Sequence, residues 1–443
     1  MKKHILLFFM MAATLFSCDV LDVEPKSSID ASAAFKTKED IDKGVLGAYS
    51  YLQSLSYYGR SDVIFPDLAA DNLAHPVSAT ATEYLEIANN NILPENGSVG
   101  GMWNAMYGSI NVANNVIAKV AGIPNMTDAE KNNALGELYF IRALSHFNLM
   151  NYFGAVPIKT MPTVGVGNLD IPRSPVDQVY AQIINDLLFA SENLPTSSNK
   201  IRSSKYAAKA LLARVFLYKK DYDQAITYAT DVIENGGYTL LGNYADVFEA
   251  DESSESIFEI YFSQTERNRI AEYNFPTSLN GRREVEPSPD LLAAYETGDK
   301  RYTASIAFAG TSAYAIKYDD LSLGDKNVIV LRLADMYLIR AEAEASKTAP
   351  NISAIQSDIN KIRMRANLSP TTEGAIAPLL RIIEKERRLE FAFEGHRWFD
   401  LVRTGRAVAV LPNVNSINQT LFPIPMDEIQ TNNDPGMTQN PGY

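Results

Sequence analysis

The stretch Ser203-Ser-Lys-Tyr-Ala-Ala-Lys-Ala-Leu-Leu-Ala-Arg-Val-Phe-Leu-Tyr-Lys-Lys-Asp-Tyr-Asp-Gln-Ala-Ile-Thr-Tyr-Ala-Thr-Asp-Val-Ile-Glu-Asn-Gly-Gly237 decides the architecture. It reads as two helices, 203–219 and 222–235, joined at Asp221-Tyr222, with Gly236-Gly237 ending the second where a left-handed residue is wanted. Ala213 and Ala225 are small enough to let two antiparallel helices approach closely. Outward from this pair the helix starts are well marked. Thr37-Lys-Glu-Asp40, Thr127-Asp-Ala-Glu130 and Ser174-Pro-Val-Asp177 each set a hydroxyl three residues before an acid, the arrangement that satisfies orphan N–H groups at a positive helix end. Pro175 suits a first helical position, where its missing N–H costs nothing. These signals predict helices near 38–55, 98–121, 128–152, 174–193, 203–219, 222–235, 328–346, 351–366 and 376–403. Strand character is confined to 256–262 and weaker pieces near 303–308 and 313–318, so the fold class is mainly α.

Residues 203–241 resemble a tetratricopeptide unit, with Ala213, Phe216, Lys220 and Ala225 at the spacing of its alanine, aromatic, turn and alanine positions. Looser pairs are expected near 128–193 and 328–366, and three pairs are about the minimum for a stacked helical core. The segments 56–97, 242–289 and 305–327 read as long irregular loops, where recognition tends to sit.

The 443 residues carry a net charge of −13 and one cysteine. An acidic surface repels phosphate backbones, which argues against nucleic acid as a partner. A single cysteine excludes an intrachain disulfide, and four histidines leave little soft-ligand material for zinc or iron–sulfur sites. Lys2, Lys3 and His4 precede the apolar run Ile5–Leu15, which is too short to anchor across a bilayer and reads as an export signal. Leu15-Phe-Ser-Cys18 is similar to a bacterial lipobox, so Cys18 is the expected lipidated N-terminus after loss of residues 1–17. Those residues hold two lysines and no acid, so the mature chain becomes more acidic still. Residues 18–36 read as the lipidated tether and 37–443 as one helical domain held at the membrane through its lipid.

Several stretches together resemble the SusD/RagB family of Bacteroidetes cell-surface lipoproteins. They are Met102-Trp-Asn-Ala-Met-Tyr107, Glu137-Leu-Tyr-Phe-Ile-Arg142 with Tyr152-Phe-Gly-Ala-Val-Pro157, Pro289-Asp-Leu-Leu292, Leu331-Arg-Leu-Ala-Asp335, and the endings Leu421-Phe-Pro-Ile-Pro425 and Gln439-Asn-Pro-Gly-Tyr443. The most specific is Glu386-Arg-Arg-Leu-Glu-Phe-Ala-Phe-Glu-Gly-His-Arg-Trp-Phe-Asp-Leu-Val-Arg-Thr-Gly405. The resemblance implies a lid over a SusC-like TonB-dependent outer-membrane transporter, with the repeats facing the transporter and the irregular half carrying a glycan or, alternatively, a peptide. It implies capture on the cell exterior rather than catalysis.

The residues agree with that reading. Glu386, Glu390 and Glu394 line one helix face, where a glycoside hydrolase would need an acid and a base. Arg387, Arg388 and Arg397 lie in the same stretch, so a structural ion network is the expectation. His396 has no companions for a metal, and Asp319, Asp320 and Asp325 match no EF-hand spacing. No catalytic residue, metal ligand or cofactor is therefore predicted. Trp103 and Trp398 are expected in the core. Tyr57, Tyr58 and Arg60, followed by Asp71 and Asn72, offer aromatic faces and bidentate polar groups suited to sugar hydroxyls. By the family resemblance this loop and the loops around 265–285, with Tyr273, Arg282 and Arg283, border the ligand pocket. On that reading Tyr58→Ala and Asp71→Ala weaken binding and spare stability, and Trp103→Ala does the reverse.

Overall fold

A computed structural model describes residues 35–163, 165 and 169–443; Cys18, the export signal and most of the tether lie outside the described residues. The chain is mainly helical. The long helices are α1 (Lys38–Leu52), α4 (Gly97–Val120), α5 (Asp128–Phe153), α6 (Val176–Asn193), α7 (Lys205–Tyr218) and α8 (Tyr222–Asn235), with α2 (Ser61–Leu68) and α3 (Thr82–Ala88) between the first two. After a short α9 (Ile270–Asn274) come α10 (Leu333–Ala345), α11 (Ile352–Arg365), α12 (Ile376–Glu390) and α13 (Arg397–Arg403). Three two-stranded antiparallel pairs complete the framework: β1 (Leu73–Ala74) with β3 (Glu286–Pro287), β2 (Ser256–Ile260) with β6 (Val328–Arg332), and β4 (Ile306–Ala309) with β5 (Ser312–Ala315). Among the described residues no helix is long and apolar enough to cross a membrane.

The helical hairpins pack as neighbours, α5 on α6, α7 on α8 and α10 on α11, and α10 also packs on α8. Ala213 and Ala225 are fully buried, and Phe216 stacks on Tyr228 at 5.6 Å. Lys220 adopts φ +63° at the turn, and Gly237 adopts φ +74° just past α8. One apolar core runs from Ile41 to Met437, and a smaller one lies among α10, α11 and α12. Trp103 and Trp398 are both in the large core, Trp103 edge-on to Phe153 at 5.0 Å.

Several expectations change. Both capping boxes at Thr37 and Thr127 form, but Ser174 caps nothing, because Pro175 is extended and stands just outside α6. Residues 328–332 are strand rather than helix. The run Val-Ile-Val is β-branched, and with Leu331 it is buried on both faces, which suits β6 paired with β2. The segment 376–403 is two helices. Phe393 and Gly395 both take positive φ, and a Cβ on Gly395 would come within 2.4 Å of the Asp62 carbonyl oxygen. The supposed loop 56–97 contains α2 and α3, and 305–327 contains the β4–β5 hairpin.

Candidate ligand-binding site

The densest ionic site gathers Glu386 and Glu390 of α12 with Glu394 of the turn after it, so the three acids do not share one helix face. Glu386 accepts from Arg301 at 2.8 Å and Arg363 at 2.5 Å. Glu390 accepts from Arg332 at 2.6 Å and is also paired with Arg365. Glu394 meets Arg332 at 2.8 Å and Lys317 at 2.7 Å, and Glu255 joins Arg332 and Arg365 at 3.0 and 2.6 Å. Burial alone would raise the Glu390 carboxyl, but Arg365, Arg332 and Arg301 hold it down at about 2. A carboxylate clamped in its charged form between guanidiniums is a poor proton donor, so this site is architecture rather than an acid/base pair. His396 is buried and stacks on Phe391 at 4.6 Å; burial and Arg214 push its imidazole down to about 3. Among the described residues no group of three or more His, Cys, Asp or Glu is arranged to hold a metal. Asp320 instead accepts the backbone N–H groups of Ser322 and Leu323, and Asp319 pairs with Lys326.

The predicted ligand residues divide sharply. Tyr57 and Tyr58 are buried, with hydroxyls accepting from Asn148 Nδ2 at 3.0 and 2.8 Å and rings 4.5 Å apart. Neither offers a face to a sugar. The turn 53–60 folds inward because the N–H groups of Tyr57, Tyr58 and Gly59 bond back to Ser54 and Leu52, and that of Ser61, bonded to Leu55, seats the start of α2 on it. Asn72 is also fully buried, donating to Asp67 at 2.8 Å and accepting from Arg388 at 3.0 Å. Asp71 takes a bidentate fork from Arg397 at 2.6 and 2.9 Å. Its carboxyl is held below the usual range against its own burial by that pairing. Tyr57 and Tyr58 fasten the turn before α2 to α5, and Asp71 and Asn72 fasten the turn after α2 to the motif around α12 and α13, so loss of Tyr58 or Asp71 unseats structure. Trp103 donates to Glu428 at 3.3 Å from within the core.

Arg60, Tyr273 and Arg282 do come together, and Arg283 turns to a separate partner. The Arg269 N–H bonds to the Gly59 carbonyl at 2.9 Å and draws α9 against the residue before Arg60. The Arg60 guanidinium then lies over the Tyr273 ring at 4.5 Å, and that of Arg282 over the same ring at 4.7 Å. Tyr84 stacks on Tyr273 at 5.5 Å, so Tyr273 is a buried pillar for cations rather than a platform for sugars. The loop after α9 closes tightly; a Cβ on Gly281 would fall 2.0 Å from the Phe275 carbonyl oxygen. Arg283, in a left-handed conformation, pairs with Glu286 at 2.6 Å.

The sequence reading missed the β4–β5 hairpin, whose second strand packs on α9. Phe308 on β4 is 48% exposed, and Tyr314 on β5 is edge-on to Phe275 at 4.7 Å. The signal was the pattern Ala307-Phe-Ala-Gly-Thr-Ser-Ala-Tyr-Ala315, two aromatics set among small residues across a glycine turn.

Comparisons with known proteins agree with this architecture. The family described as "Starch-binding associating with outer membrane" matches residues 19–217, and the SusD family matches residues 317–419. SusD-like protein P38 of Formosa agariphila is 29% identical across 99% of this chain and 98% of its own. A SusD superfamily protein of Bacteroides vulgatus has the same fold, with a TM-score of 0.83 over 92% of this chain and 99% of its own at 22% identity. A laminarin-binding SusD-like protein superposes with a TM-score of 0.81 at 27% identity, over 92% of this chain and 100% of its own.

Proposed function

Since the chain belongs to the SusD/RagB family, we propose that it is a non-catalytic glycan-binding lipoprotein of the outer-membrane surface that hands its ligand to a TonB-dependent transporter. The observation that carries the glycan assignment is the end-to-end likeness to the laminarin-binding protein. The chemistry of the cluster supports it. Arg60 and Arg282, both on the Tyr273 ring, bring fork-shaped donors of the kind that oxygen-rich ligands need. The clamped carboxylates of α12 support a binding role over hydrolysis. Cys18 supplies the anchor, and the helical hairpins supply a broad surface for the transporter. The test is a panel of glycans and peptides offered to the full protein extracted in mild detergent, with products monitored in the same samples. Glycan binding without new reducing ends, and a barrel of the TonB-dependent class in the extract, are expected. Peptide binding alone, turnover, or no co-purifying barrel would each overturn the corresponding part.

A further inference from the structure

We propose that the captured glycan is acidic, and that a carboxylate or sulfate on it docks on Arg60 with Arg282 beside it; this rests on the glycan-binding reading above. Two guanidiniums share one tyrosine ring at 4.5 and 4.7 Å. Arg282 is neutralised by Glu284 at 3.4 Å and, more distantly, by Glu272 at 4.0 Å. Arg60 has no carboxylate partner among the described residues, and its Nε is buried without an acceptor. The Tyr84 hydroxyl and His75 Nε2, in the same cluster, are also buried and unpartnered. Unsatisfied buried polar groups are costly and concentrate where a ligand or ordered water completes the site.

The charges around Arg60 do not supply the missing anion. Glu284 is committed to the N–H groups of Thr80 and Ala81 at 3.1 and 3.0 Å as well as to Arg282. Arg269 engages Glu272, and Arg283 engages Glu286. Four arginines against three glutamates leave one cation in excess at this spot, on a protein whose net charge is −13. Long-range repulsion from such a body works against an acidic ligand, so an unpaired arginine at the point of contact serves acid recognition and is wasted on a neutral one. The planar guanidinium matches the oxygens of carboxylate and sulfate with two parallel hydrogen bonds, and a hydroxyl cannot reproduce that fork.

The experiment uses the full protein and matched probes: oligogalacturonate against its carboxyl-reduced counterpart, a sulfated galactan oligosaccharide against its desulfated counterpart, and laminarin. At least one anionic probe should bind tenfold or more tighter than its neutral match, and added salt should erode that advantage. Arg60→Gln should bring the anionic probe to within about threefold of its match. The comparison on the unaltered protein decides the matter even if Arg60→Gln folds poorly. Equal or tighter binding of both neutral matches overturns the acidic assignment and leaves glycan capture standing. Failure to bind any of the five overturns both.

Discussion

Arg332 and Arg60 are the same residue in opposite situations. Arg332 is buried and meets Glu255, Glu390 and Glu394, so every face of its guanidinium is matched. Arg60 is half-buried, stacked on an aromatic ring, and meets no carboxylate among the described residues. A saturated guanidinium contributes shape: removing a partner strands charge in a dry interior. An unsaturated one contributes little to the fold and keeps its hydrogen-bonding capacity for something else. The contrast separates the part of the molecule that holds it together from the part that is free to recognise.

The comparison breaks first, if at all, at Glu390. Glu390→Gln leaves Arg301, Arg332 and Arg365 facing one another and should destabilise by about 3–5 kcal/mol, read from the denaturation midpoint. The pH dependence has a definite sign. Its carboxyl sits at about 2, below the ordinary 4.5, so its stabilisation is complete above pH 4.5 and fades as pH falls toward 2. The variant should show a flatter acid limb than the parent, and an unchanged midpoint at pH 7 would remove the network from the list of stabilising features. Next in size, Asp71→Ala should cost about 2–3 kcal/mol, because it leaves Arg397 buried with only Glu384 at 3.4 Å. A melting curve indistinguishable from the parent would restore Asp71 to the list of free recognition groups.

A smaller effect has the opposite direction. Burial raises the carboxyl of Asp62 to about 7, and one of its oxygens has no partner. A raised group stabilises fully below its unfolded value near 3.8 and loses that contribution as pH rises through 7. Asp62→Asn should therefore stabilise by about 1–3 kcal/mol at pH 8 and much less at pH 4. Melting curves at the two pH values check it, and a variant less stable at both would show that the charge is wanted. Smallest of all, Arg60→Gln should change stability by less than about 1 kcal/mol, the scale of a half-exposed cation–π contact. A loss comparable to Glu390→Gln would erase the distinction between the two arginines.

The helical pairs were legible in the sequence because their signals are local. Alanine spacing, capping boxes and glycine ends act within a few residues, and Ala213, Thr37, Thr127 and Gly237 do what their positions announce. Trp103 followed from helical periodicity in the same way. The misreadings arose where partners are distant. Tyr57, Tyr58 and Asn72 look like exposed loop residues until Asn148 and Arg388 arrive from other helices to bury and bond them. The Val328–Arg332 strand needed β2, some seventy residues earlier, to be told from a helix start. At the site, Tyr273, Arg282 and Arg60 were identified by type, but the sandwich that turns Tyr273 from platform to pillar is a contact between segments, and periodicity says nothing of it.

The close seat of Gly395 on the Asp62 carbonyl carries a kinetic consequence. Arg60 stands at the head of α2, Asp62 lies in its first turn, and the turn that Gly395 belongs to is welded to the ionic interior through Glu394. Asp71, past the far end of α2, is clasped by Arg397. With both ends of that short helix held, the mount for Arg60 is set when the chain folds, and little ordering is left for the moment of encounter. Ligand association should then run at a rate governed by diffusion and charge, without a slow rearrangement phase, and differences in affinity among sugars should surface in how long each stays.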